Sequence, residues 1–184
     1  MPPALTQGGV LTLDLGGVVG WAYAPLDAVS PYADTITLPK VGGEGMRYAS
    51  FENELAALIE RLAPSAMVLE APLRFAAQNN ERACRQQYTL RGFAYSEGHR
   101  ASVPVSEQDV DTIRLEVFGI CRFSGRDPKA EVVRMLRARR ILVTNHNAAD
   151  AVAIWLWHKQ RMRGISPVAG ALWRSALERE ALQQ

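Results

Sequence analysis

The 184-residue chain is 48% hydrophobic and 22% charged, which excludes global disorder and suits one globular domain with a real core. No apolar run approaches the roughly 20 residues of a membrane span, and MPPALTQGG lacks the basic start and apolar stretch of a leader, so a soluble intracellular protein is expected. The net charge of +2 names no partner, and the two cysteines, Cys84 and Cys121, lack metal-type spacing and read as reduced core thiols.

Val10 to Leu15 is apolar apart from Thr12 and Asp14. Gly16-Gly17 then punctuates, and Val18 to Ala24 resumes, which predicts a β-hairpin. The β-branched alternation of Asp34 to Pro39 predicts a third strand. After Gly42, Gly43 and Gly45, the residues Phe51, Leu55, Leu58, Ile59 and Leu62 recur at helical spacing, so a helix is expected from about Met46 to Leu62. Ala66 to Glu70 reads as a short buried strand stopped by Pro72. A helix over 79–97, strained at Gly92, and a fifth strand over 102–105 follow.

Residues 110–118 read as a helix. A second helix, basic and with proline at its favoured first position, is expected from Pro128 to Arg140. Between Arg122 and Arg140 lie seven basic residues and two acidic ones, an excess that suits a phosphate backbone or a solvated helix face. From about Asn147 to Met162 the chain is apolar nearly all round, which predicts a helix buried against the sheet. Gly164 and Pro167 precede a last helix, Ala169 to Leu182, that suggests no role. Leading strands followed by alternating helices and strands give an α/β domain: a mixed five-stranded sheet with helices on both faces.

Three carboxylates stand out against this plan. Asp14 ends the first strand, Glu70 ends the fourth, and Asp150 lies among Ala148, Ala149 and Ala151 on the buried helix. A buried charge is costly unless paired, and a divalent cation pairs with several carboxylates at once. Two such ions about 4 Å apart drive in-line phosphodiester hydrolysis. His146 and Asn147, one turn before Asp150, share its helix face and are both candidates for a fourth ligand; helix capping is the alternative for each.

This ordered trio, an apolar strand ending in D-x-G with GWA downstream, a strand ending in E-x-P and a helix carrying A-D-A, resembles the RuvC family of Holliday junction resolvases within the ribonuclease H-like superfamily. The likeness is closest to the compact phage and prophage forms and covers roughly residues 10–160. It implies a nuclease domain over 1–165 with a helical extension over 166–184. Asp14, Glu70 and Asp150 would hold two Mg²⁺ or Mn²⁺ ions, with His146 or Asn147 completing the set. TIRLEVFG, with Arg114, and the following DPK resemble the segment that leads a lysine to the scissile phosphate, which implies that role for Lys129. Phe75 resembles the aromatic inserted at the strand-exchange point. One departure is Asn147, where the family often carries an acid or histidine.

The resemblance further implies paired symmetric nicks in a four-way DNA junction, leaving 5′ phosphates, by a homodimer formed through the 79–97 helix with Cys84, Tyr88 and Phe93. Arg114, Arg122, Arg126, Lys129, Arg134 and Arg137 would contact DNA, in the cytoplasm of a bacterial or phage-infected cell. Alternative readings are a non-catalytic branched-DNA-binding module and a related nuclease of flap or hybrid specificity. A phosphate-loop ATPase, suggested by D-L-G-G, would need a second glycine motif and a duplicated domain, which 184 residues do not accommodate.

Overall fold

The computed structural model describes residues 8–72, 81–120 and 127–164. Phe75, Arg122, Arg126, Cys121 and the 166–184 extension lie outside the described residues. The elements run β1 (Val10–Asp14), β2 (Val18–Ala24), β3 (Tyr32–Thr37), α1 (Gly43–Leu62), β4 (Ala66–Glu70), α2 (Glu81–Arg100), β5 (Val105–Gln108), α3 (Val110–Phe118), α4 (Pro128–Ala138) and α5 (His146–Met162).

The strands form one sheet in the order β3-β2-β1-β4-β5. β1 pairs antiparallel with β2, and β2 with β3; β1 with β4 and β4 with β5 are parallel. The expected mixed five-stranded sheet is therefore present. Strand alternation divides the core in two. Leu11, Leu13, Met67 and Leu69 point to α1 and α2, meeting Phe51, Leu55, Leu90 and Ala94. Val10, Ala22 and Val68 point the other way, to Phe118, Leu136, Val152 and Trp155 on α3, α4 and α5.

β1, β2, β4 and α3 match expectation closely. β5 does not: it runs over 105–108 rather than 102–105. Ser102 takes a left-handed conformation (φ 57) and Pro104 supplies only a carbonyl, to Met67 N at 2.9 Å, so pairing starts at Val105. Gly92 is accommodated within α2 without a break. Ile141 and Val143 are buried without forming a strand.

α5 sits on the centre of the sheet because its contact face is small. Ala148, Ala149, Ala151 and Ala153 are buried, and two hydrogen bonds lock the register. Thr12 Oγ1 donates to the Ala151 carbonyl at 2.7 Å, and Trp155 Nε1 donates to the Ala24 carbonyl at 3.1 Å. Gly20 lets the helix start come close, since a Cβ there would lie 1.9 Å from the Asn147 carbonyl oxygen. Among the described residues no helix is long and apolar enough to cross a membrane.

Candidate active site

Alternation along β1 puts Asp14 on the same face as Val10 and Thr12, and along β4 it puts Glu70 on the face of Val68. Both carboxylates thus stand at the C-terminal ends of adjacent parallel strands, on the face that α5 covers. Asp150, in the second turn of α5, comes to them from above. Asp14 is 9% exposed and Asp150 7%.

The three groups act on one another. Burial, and then the charge of Asp150, push Asp14 up to about 7. Burial, followed by the charges of Asp14 and Asp150, carries Glu70 well above the usual carboxylate range. Asp150 is raised by burial and is held back by Arg114, Lys129 and His146. Burial and like charge thus oppose the ionised forms of these acids.

Arg114, read from sequence as a DNA contact, stands inside this cluster. Its Nη2 is 4.0 Å from Asp150 Oδ1 and its side chain is 18% exposed. Lys129 also acts on all three acids, from the exposed first turn of α4. Asp127 caps that turn, accepting from Lys129 N at 3.0 Å. Beside it a cavity of about 400 Å³ opens between α4 and the start of α5, lined by Asp127, Lys129, Arg134, Arg137 and His146 among others. Arg134 is paired with Glu131 at 2.9 Å, whereas Arg139 turns inward, over the Phe118 ring and donating to the Val117 carbonyl at 2.5 Å. The basic run is thus split between a cationic cleft and an internal strut.

The helix start also separates the two candidate ligands from the cap. Asn145, which the sequence reading passed over, is the N-cap and accepts from Ala148 N at 3.0 Å. His146 is exposed and Asn147 half-buried, so neither side chain is spent on capping. The S/T/D/N rule picks Asn147, the residue just before the apolar run, whereas the helix starts two residues earlier. On α2, Cys84 is buried and Phe93 packs inward against Tyr48, while Tyr88 and Tyr95 are exposed.

The donor set suits hard cations: carboxylate oxygens on adjoining elements, with an imidazole or amide oxygen at hand. Among the described residues, however, no three His, Cys, Asp or Glu side chains are drawn onto one point as metal ligands. The charge of Asp150 nonetheless reaches both Asp14 and Glu70.

No protein-family model matches the sequence, and no curated protein matches it at the level of sequence. Solved structures do match. The RuvC of Thermus thermophilus superposes with a TM-score of 0.69 at 17% identity, covering 85% of this chain and 97% of that one. The same organism's RuvC in complex with a Holliday junction substrate gives 0.67 at 13%, covering 86% and 98%. The yeast mitochondrial Holliday junction resolvase Ydc2 gives 0.61 at 12%, covering 95% and 86%. With five strands in this order and helices on both faces, the chain has the α/β fold of the RuvC resolvases.

Proposed function

We propose that the chain is a divalent-metal-dependent endonuclease that resolves four-way DNA junctions by paired symmetric nicks. The observation that carries the reading is that Asp14, Glu70 and Asp150 lie within reach of one another's charge at the ends of β1 and β4 and the start of α5, with Asp150 acting on Asp14 and both of them on Glu70. The fold shared with RuvC and Ydc2 supports the substrate class.

Asp14, Glu70 and Asp150 would hold the ions, with His146 or Asn147 completing the set. Bound Mg²⁺ or Mn²⁺ would supply an activated water and stabilise the departing 3′ oxygen, leaving a 5′ phosphate. The protein's own groups do the rest. Gly16 and Gly17 keep the turn beside Asp14 free of side chains, so a phosphodiester approaches closely. Lys129 neutralises charge on the scissile phosphate. Arg134 and Arg137, on the wall of the cleft, hold flanking phosphates without reading sequence. A homodimer would bring two such sites to the near two-fold symmetric junction, with the exposed Tyr88 and Tyr95 of α2 available for contact.

The test is a synthetic junction with each strand end-labelled in turn, incubated with Mg²⁺ or Mn²⁺. Symmetric nicks in opposed strands are expected, abolished in Asp14→Asn while junction binding persists. Tight binding without any metal-dependent cut would favour a non-catalytic module, and cleavage confined to flaps or hybrids would overturn the junction assignment.

A further inference from the structure

Arg114 is the only described residue that the structure pairs with any of the three acids by a direct charge contact. Its position is fixed. α3 is capped at its start by Asp109, which accepts from Thr112 N at 2.7 Å, and ends at Gly119 in a left-handed turn (φ 73). Ile113, Val117 and Phe118 anchor the helix in the core, leaving Arg114 on the flank that faces α5. A guanidinium keeps its charge at every working pH, so this is a permanent positive charge among three acids. Lys129 shares the electrostatic task from an exposed position on a flexible stem.

The contact is of a displaceable kind. At 4.0 Å it lies beyond hydrogen-bonding distance and is not the bidentate fork that makes Arg–carboxylate pairs strong. A cation arriving at Asp150 therefore competes with a charge and breaks no buried hydrogen bond.

We propose that Arg114 is the counter-ion of the carboxylate cluster, which a divalent cation must displace from Asp150, so that this residue weakens the metal affinity of the site. The inference rests on the metal-site reading above and adds a control on it. Arg114 is a positioning residue in this role, acting through Asp150.

The experiment is Mn²⁺ binding to the DNA-free protein, read from the electron paramagnetic resonance signal of free Mn²⁺, for the wild type, Arg114→Gln and Arg114→Lys. Removing the charge that competes for Asp150 should tighten binding on the order of tenfold, while Arg114→Lys stays within a fewfold of the wild type. Unchanged or weaker binding by folded Arg114→Gln overturns the proposal and leaves the metal site standing. No Mn²⁺ binding by the wild type overturns the metal-site reading and the proposal with it. A measurement free of substitution is the Arg114 Nε–Hε resonance during a Mg²⁺ titration: a saturable shift is expected, and a resonance that does not move refutes displacement.

Discussion

Gly20→Ala is the sharpest probe of how the fold builds its site. Gly20 pairs with Asp14 across the β1–β2 ladder and faces the start of α5. An added Cβ would lie 1.9 Å from the Asn147 carbonyl oxygen, 2.4 Å from its carbon and 3.1 Å from Ala148 N. Carbon–oxygen contacts settle at about 3.3 Å, so the helix start must retreat by more than about 1 Å. Neither side yields easily. β2 is paired on both edges, and α5 is held by Thr12 and Trp155. Replacing glycine in a strand gains about 0.5–1 kcal/mol, but overpacking costs about 1–3 kcal/mol, so net destabilisation is expected. The displaced turn carries His146, Asn147 and, one turn on, Asp150. A misplacement of about 1 Å costs roughly 100-fold in rate. Urea unfolding and single-turnover nicking of a junction would be measured together, with junction binding as the control. The reasoning is refuted if the variant unfolds at the wild-type midpoint and nicks at the wild-type rate.

The pH dependence of stability has a definite sign. Asp14 titrates near 7 in the folded protein against an ordinary value of 3.8, so between those limits the folded state holds more protons and stability falls as pH rises. Metal-free protein should be more stable at pH 5 than at pH 8, by an amount on the order of 2–4 kcal/mol, and Mg²⁺ should shrink the gap; thermal melts that are level across this range would contradict the burial of ionisable Asp14. Asp127→Ala removes the cap beneath Lys129; it should cost about 1 kcal/mol in denaturant melts and slow nicking, and an unaltered rate would place Lys129 outside the reaction. Trp155→Ala empties a fully buried site and strands the Ala24 carbonyl; a loss of about 3–5 kcal/mol is expected, and a loss below 1 kcal/mol would mean that α5 is not seated by this residue.

Much of this was legible in the sequence because burial patterns are local. The apolar runs ending at Asp14 and Glu70 fixed two strands, and the nearly all-apolar 147–162 segment announced a helix that must lie under other elements. Period-two alternation then dictates that Asp14 and Glu70 share a face once β1 and β4 are adjacent. What was not legible depends on tertiary contact. Arg114 reads as one more basic residue until α3 packs beside α5 and turns it toward Asp150. Arg139 reads as part of a basic run until Phe118 and the Val117 carbonyl claim it. β5 lies later than the apolar pattern predicts because its residues, VSEQ, are mostly polar, and only parallel pairing with β4 makes them a strand.

The central claim, that Asp14, Glu70 and Asp150 gather around divalent cations, is tested most directly by anomalous scattering from crystals soaked in Mn²⁺. Peaks lying between the three carboxylates, with Arg114 moved off Asp150, are the predicted result. Carboxylates left apart with no anomalous peak among them would contradict it.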